Sequence, residues 1–214
     1  MAHRVQEFYE AEHFSKLELT APFTDYLTRE AELICRNVTG RSALELGCGT
    51  GRILGIIPSH IQVTGIDYSQ RAIDLARMSQ GTRSNVGLAQ MDACAMGFSN
   101  DSFDCAIAAW NFLGNQHRGR DRCLEETGRV LRPQGMLLAS VLADSVLSAY
   151  LGFVRANGLH VEYITRDYVV LREGLVSERF GIGKLQSVVK RAGFDLLEVT
   201  PISDIALWCK AVRR

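Results

Sequence analysis

The stretch Ala43-Leu44-Glu45-Leu46-Gly47-Cys48-Gly49-Thr50-Gly51-Arg52 decides the fold of this 214-residue chain. A short apolar run ends in three alternating glycines, and a helix-compatible stretch, residues 52–57, follows. This order predicts the strand, glycine-rich turn and helix that open a nucleotide-binding α/β fold. The glycines allow the positive φ that such a turn needs and leave room for a ligand beside the backbone. The helix is expected to offer its unpaired N–H groups to a carboxylate or phosphate.

A second short strand is predicted to end at Asp67, about twenty residues beyond the glycines, where an acid can accept the ribose hydroxyls of an adenosine-type cofactor. A dinucleotide fingerprint requires a third glycine in the turn, and Leu54 stands in its place. The sequence therefore favours an adenosine-type cofactor other than NAD.

Four segments, in this order, resemble the successive motifs of class I S-adenosylmethionine (SAM)-dependent methyltransferases. They are Glu45-Leu-Gly-Cys-Gly-Thr-Gly51, Gly65-Ile-Asp67-Tyr-Ser69, Met91-Asp92-Ala93 and Arg129-Val-Leu-Arg-Pro-Gln-Gly135. The resemblance covers roughly residues 40–143. It implies a single α/β domain over residues 1–214, a Rossmann-like doubly wound seven-stranded sheet with helices on both faces. The implied strand order is 3-2-1-4-5-7-6, with strand 7 antiparallel.

The resemblance also implies the cofactor and the residues that bind it. The cofactor is SAM, its product is S-adenosylhomocysteine (SAH), and no metal ion is expected. Asp92 is expected to bind the adenine amino group, with Ala93 beside it; the alternative is that Asp92 only caps the next turn. The expected cofactor-binding residues are Tyr9, Glu45, Gly47, Cys48, Gly49, Gly51, Asp67, Tyr68, Asp92, Ala93 and Asn111.

The acceptor side is expected beyond the fourth strand and in two segments outside the shared pattern. These segments are residues 1–20, which begin an N-terminal helical cap over residues 1–40, and an inserted hairpin, residues 158–181. Trp110 either completes the core or contacts the substrate, and His117 is either a general base or a solvated loop residue. The expected substrate-binding residues are Phe14, Trp110, His160 and Tyr163.

Composition narrows the range of partners. The chain has 24 basic and 24 acidic residues, so no overall field favours nucleic acid or an anionic membrane. No apolar run reaches the ~18 residues of a membrane span, and the start of the chain lacks the apolar core of a signal peptide. Six scattered cysteines without CxxC pairs fit reduced thiols. A cytoplasmic monomer or homodimer without a membrane partner is expected.

The favoured function is transfer of a methyl group from SAM to an N, O or C nucleophile of a small molecule. The reaction is an in-line displacement that the protein promotes mainly by positioning. A neutral chain without an appended recognition module favours a small-molecule acceptor. Two alternatives remain open. An RNA or protein methyltransferase should show a basic rim or a docking domain, and a non-catalytic methyltransferase-like partner protein should show a broken cofactor site.

Overall fold

The computed structural model describes Phe8, Glu10 and residues 16–116 and 119–214. The strands are β1 Ser42–Leu46, β2 Gln62–Asp67, β3 Val86–Gln90, β4 Phe103–Ala108, β5 Leu131–Leu142, β6 Val161–Ile164, β7 Tyr168–Leu171, β8 Val176–Glu178, β9 Phe194–Ile202 and β10 Ala206–Arg213. The α-helices are α1 Ala21–Asn37, α2 Gln70–Gln80, α3 Phe112–Asn115, α4 Arg120–Val130, α5 Leu147–Ala156 and α6 Ile182–Arg191. Short 3-10 helices span Leu54–Ile56 and Asp144–Val146.

Seven strands form one sheet in the order β3-β2-β1-β4-β5-β10-β9. Strands β1 to β5 pair in parallel, whereas β10 is antiparallel to both β5 and β9. Because three more strands are inserted after α5, β9 and β10 are the sixth and seventh strands of the predicted order. The predicted fold class and sheet order are therefore confirmed. The chain leaves the centre of the sheet in opposite directions from β1 and β4, and ligands of such sheets bind at this point.

The two faces of the sheet carry separate apolar cores. Successive side chains of a strand point to opposite faces. In β1, Ala43 belongs to the core that contains Phe23 of α1. The next residue, Leu44, belongs to the core that contains Leu124 of α4 and Leu185 of α6. Helices therefore cover both faces, as predicted.

Helix α1 forms where the sequence predicts an N-terminal helix. Pro22 lies in its first turn, a place where the missing N–H has no intrahelical partner to lose. Its buried face contains Phe23, Tyr26 and Ile34, together with one acid, Glu30. That acid is fully buried, which sets it apart from the exposed acids of the same helix.

The prediction of a helix over residues 52–57 is wrong. The structure has only the single 3-10 turn Leu54–Ile56 there, and Ile57 is already extended, with φ −65° and ψ 132°. Pro58 explains this, because the residue before a proline is pushed out of the helical region. The N–H of Gly51 bonds to the carbonyl of Cys48, and the N–H of Gly55 to the carbonyl of Gly51. The expected helix N-terminus is therefore not available for binding an anion.

The inserted segment forms a three-stranded antiparallel sheet rather than the predicted hairpin, in the order β6-β7-β8. Strand β8 has only three residues, all buried, so it is too short to show an alternating pattern in the sequence. The segment after β8 pairs with the end of β5, because the N–H of Phe180 donates to the carbonyl of Leu142 at 2.8 Å. None of the described helices is long and apolar enough to cross a bilayer.

Candidate active site

The turn after β1 adopts the backbone that its glycines predict. Gly47, Gly49 and Gly51 have φ values of 64°, 53° and 88°. The N–H of Gly49 donates to Oδ2 of Asp67 at 2.9 Å, and the N–H of Ser69 donates to Oδ1 at 2.9 Å. The parallel pairing of β1 with β2 brings the glycine turn and Asp67 to the same edge of the sheet. The Asp67 carboxylate therefore joins the glycine turn to the start of α2.

Packing already requires two of these glycines. A Cβ on Gly47 would lie 2.4 Å from a carbon of the Phe112 ring, and a Cβ on Gly51 would lie 2.7 Å from Nε2 of Gln80. Nε2 of Gln80 also donates to the carbonyl of Gly51 at 2.8 Å. Room for a ligand is therefore not the whole reason for glycine at either position.

The surroundings of Asp67 favour a hydrogen-bond donor as its further partner. Burial raises the pKa of the Asp67 carboxyl above its ordinary value, although the N–H groups of Ser69 and Gly49 oppose the shift. Oε1 of Glu10 accepts from the N–H of Gln70 at 3.1 Å, and the charge of Glu10 raises the same pKa. A hydrogen bond donated by a ligand hydroxyl to the Asp67 carboxylate would stabilise the charged form of Asp67.

Glu45 is the second buried acid at this edge. Its side chain is only 3% exposed, and its Oε2 has no hydrogen-bond partner among the described residues. Burial raises the pKa of Glu45 well above its ordinary value, while Arg52 and the N–H of Leu54 oppose the shift. An unpaired buried carboxylate oxygen is costly, so this position suits a ligand that donates a hydrogen bond.

The turn after β4 contains two consecutive left-handed residues that are not glycine, Trp110 at φ 46° and Asn111 at φ 55°. Oδ1 of Asn111 accepts from the N–H of Leu142 at 3.0 Å, and its Nδ2 donates to Oδ1 of Asn115 at 3.0 Å. Asn111 is 2% exposed, so its amide already ties the turn to β5. Its predicted cofactor contact stays a prediction.

The structure places the remaining cofactor candidates as follows. Tyr68 is 53% exposed beside Asp67. Asp92 is exposed just past β3, and its Oδ1 accepts from the N–H of Cys94 at 2.8 Å. This contact is the one expected if Asp92 only caps the next turn. Ala93 beside it and Cys48 in the glycine turn are both buried. The adenine role of Asp92 stays a prediction.

On the acceptor side, β8 reaches the turn after β4, while β6 lies at the far edge of the inserted sheet. Oγ of Ser177 in β8 contacts Oδ1 of Asn115 at 3.3 Å and the hydroxyl of Tyr150 at 2.7 Å. His160 contacts Glu173 at 2.9 Å and is largely exposed. Tyr163 is 45% exposed on β6. The structure therefore does not bring His160 or Tyr163 to the residues after β4.

A buried acid next to Ser177, paired with two basic side chains, was missed by the sequence reasoning. Glu178 is 1% exposed; it pairs with Arg120 at the start of α4 and with Lys184 of α6, the latter at 2.8 Å. No sequence signal marked Glu178. Trp110, in contrast, packs on the aromatic side chains of α1, with its ring centroid 6.2 Å from that of Phe23. This contact fits the core alternative for Trp110.

Tyr9, His13, Phe14 and His117 lie outside the described residues. Among the residues that the structure describes, no three His, Cys, Asp or Glu side chains are grouped so that they could hold a metal ion.

The sheet order and the acid after β2 define an α/β protein of the Rossmann-like class. A family model described as a methyltransferase domain matches residues 43–135. Over 198 residues the chain is 29% identical to O-methyltransferase cnsE of Penicillium expansum, an alignment that covers 89% of this chain and 65% of that relative. The chain spans 56% to 65% of the length of the first three curated relatives that it matches.

Two solved structures show the similarity of fold. One is 1,6-didemethyltoxoflavin-N1-methyltransferase of Burkholderia thailandensis with bound SAH, at a TM-score of 0.73 and 16% identity over 99% of this chain and 88% of that one. The other is the [4+2]-cyclase SpnF, at a TM-score of 0.66 and 20% identity over 90% of this chain and 82% of that one. Together with the methyltransferase-domain match and the shared sheet order, these findings support a class I SAM-dependent methyltransferase.

Proposed function

We propose that this protein transfers a methyl group from SAM to a nucleophilic atom of a small molecule. The observation that carries the proposal is the Asp67 carboxylate at the end of β2, hydrogen-bonded to the N–H of Gly49 in the glycine turn. This pairing fits an adenosine-type ligand, because a carboxylate held at that edge can accept ribose hydroxyls. Leu54 in place of the third dinucleotide glycine favours SAM over NAD.

The residues present fit SAM on a further ground. Oε2 of Glu45, which no described residue pairs with, is a buried acceptor that suits the ammonium group of the cofactor. Asp67 would accept the ribose hydroxyls, and Asp92 with Tyr68 would lie at the adenine end. When bound, SAM supplies a methyl group that is already activated by the positive charge of its sulfur.

The chain then has to align the acceptor and exclude water. Alignment alone can supply effective molarities on the order of 10⁵–10⁸ M. Exclusion of water helps most when the nucleophile is anionic, because its hydration shell must be shed. A base is needed only when the nucleophile arrives protonated, and His117 is our candidate for that role. The similarity to cnsE, an O-methyltransferase, supports an oxygen atom as the acceptor here.

We propose that the acceptor binds between the N-terminal residues 1–20 and the inserted residues 158–181 of a single-domain chain. Strand β8 supports this placement, because Ser177 contacts Asn115 just beyond β4. Attached segments of this kind carry the selectivity of a sheet whose cofactor edge is fixed by the family. Tyr9 and Phe14 stay our candidates in the N-terminal wall.

A second function has one observation in its favour. The [4+2]-cyclase SpnF shares this fold, so a protein of this architecture can catalyse a reaction other than methyl transfer. Binding of SAM without methyl transfer to any acceptor would favour such a role, or that of a non-catalytic partner protein. The equal numbers of basic and acidic residues weigh against an RNA acceptor.

Calorimetry with SAM, SAH and NAD tests the cofactor. We expect SAM and SAH to bind and NAD to bind more weakly. Gly49→Val should abolish SAH binding, because a β-branched residue resists the left-handed backbone that position 49 adopts. Gly183→Val is the matched control, since its added Cβ would meet nothing within 4 Å. Tighter binding of NAD than of SAM, or no SAM binding at millimolar concentrations, would refute the proposal.

Methyl transfer itself is tested with labelled SAM and a panel of phenols, carboxylic acids and amines. We expect label in at least one phenol or acid. Labelling of RNA or of a protein instead would contradict the small-molecule acceptor while leaving the cofactor intact.

A further inference from the structure

One buried carboxylate, that of Glu30, connects helix α1 to the turn after β4 and to Arg52 after the glycine turn. Glu30 is 0% exposed. Its Oε1 accepts from the hydroxyl of Tyr26 at 2.8 Å and from the N–H of Trp110 at 2.8 Å, and it also contacts the hydroxyl of Ser140. Its Oε2 forms an ion pair with Arg52, directly after the glycine turn.

These contacts satisfy the charge of Glu30 unusually well. A buried carboxylate is tolerated when it is paired and hydrogen-bonded. Burial and the charge of Glu30 raise the pKa of the Tyr26 hydroxyl well above its ordinary value, so Tyr26 remains a donor. The N–H of Trp110 belongs to the left-handed turn after β4. Glu30 therefore stabilises that turn through its backbone and holds Arg52 through its side chain.

Arg52 has two buried acids within its electrostatic reach but pairs with one of them. It forms its ion pair with Glu30, while it acts on Glu45 only through space. Within the described part of the chain, Oε2 of Glu45 keeps no hydrogen-bond partner. The guanidinium of Arg52 is held further by the carbonyl of Leu27 at 3.4 Å and by the ring of Trp110 at 5.9 Å from its centroid. Arg52 is thus turned toward α1.

We propose that Glu30 is a positioning residue that holds Arg52 away from Glu45 and so keeps Oε2 of Glu45 available to a positively charged group of the cofactor. The inference rests on the proposed function, since it takes SAM or SAH as the ligand. In the absence of the Glu30 charge, Arg52 would turn to Glu45, the other buried acid on which its charge acts. It would then neutralise the oxygen that the cofactor needs.

Three variants test this positioning with SAH binding by calorimetry, which requires no knowledge of the acceptor. Glu30→Gln should weaken SAH binding at least about tenfold, because Arg52 now competes for Glu45. Combining Glu30→Gln with Arg52→Gln should restore affinity to within about threefold of the wild type, because the competing cation is gone. Glu32→Gln is the matched control: it lies on the exposed face of the same helix, paired with Arg36 at 3.4 Å.

Rescue by the second substitution distinguishes positioning from mere support of the fold. If Glu30 only stabilised α1, the double variant would bind SAH no better than Glu30→Gln, and that result would overturn the inference. If Glu30→Gln does not fold, the SAH affinity of Arg52→Gln tests the inference instead. The Arg52 side chain is 34% exposed, so its replacement disturbs less of the core. Binding within about threefold of the wild type supports the inference. A loss of more than about tenfold shows that Arg52 itself contacts the cofactor, and overturns it.

The wild type separates this inference from the proposed function. Wild-type protein that does not bind SAH contradicts the proposed function. Wild-type protein that binds SAH while Glu30→Gln binds it equally well contradicts only the role of Glu30.

Discussion

Replacement of Asp67 by alanine removes the carboxylate that accepts hydrogen bonds from the N–H groups of Gly49 and Ser69. A hydrogen bond to a charged group is worth roughly 1.5–3 kcal/mol, so loss of one ribose contact should weaken SAH binding roughly 10- to 150-fold. Asp67→Asn keeps one acceptor oxygen but no charge, and we expect it to fall between the wild type and Asp67→Ala. The exposed Asp74, which pairs with Arg77 at 2.8 Å on α2, supplies the control variant Asp74→Ala.

Calorimetry at several pH values makes the prediction sharper. Burial raises the pKa of Asp67, so the wild type should lose SAH affinity as the pH falls toward that raised value. The sign follows because the charged carboxylate is the better acceptor of a ribose hydroxyl, so its protonation weakens SAH binding. Asp67→Asn should lose this dependence. The reasoning is refuted if Asp67→Ala melts at the wild-type temperature without ligand and still binds SAH within about threefold of the wild type.

Three other predictions concern packing, acid stability and the inserted sheet. Gly47→Ala should lower the melting temperature because its Cβ would lie 2.4 Å from the Phe112 ring, and adding Phe112→Ala should recover part of the loss in the same melting assay. Burial opposes the charge of Asp104, but the N–H groups of Arg41 and Ser42 and the side chain of Arg132 lower its pKa to about 2. Between about pH 4 and pH 2 the wild type should therefore lose about 2 kcal/mol more stability than Asp104→Asn when urea unfolding of the two proteins is compared. Tyr163→Ala should leave the calorimetric affinity for SAH unchanged, and a weaker affinity would place β6 nearer the cofactor than the structure does.

The sequence predicts the central sheet well because its signals are local and repeated. Each short apolar run of the sheet is bounded by glycine, proline or an acid, and the order of the four motifs sets the topology. The failure at residues 52–57 has a local cause too. Pro58 was visible in the sequence, and its effect on Ile57 leaves only one 3-10 turn.

The candidate site is only partly readable from the sequence, since its residues come from distant parts of the chain. Asp67 and the glycine turn were found because they lie within one short motif. Glu30 left a signal that went unused: it occupies a position in the apolar stripe of α1, between Tyr26 and Ile34. Glu178 left none, because its partners Arg120 and Lys184 are joined to it only by the folded chain.

Trp110 gives the molecule an optical property of its own. The chain has two tryptophans. Trp208 is fully buried in β10, whereas Trp110 is partly exposed in the turn after β4, with the guanidinium of Arg52 over its ring. Indole emission depends on nearby charge and solvent, so we expect a ligand that binds beside Arg52 to change the emission of Trp110 more than that of Trp208. Compound libraries can therefore be screened by intrinsic fluorescence, with no label and before the methyl acceptor is known.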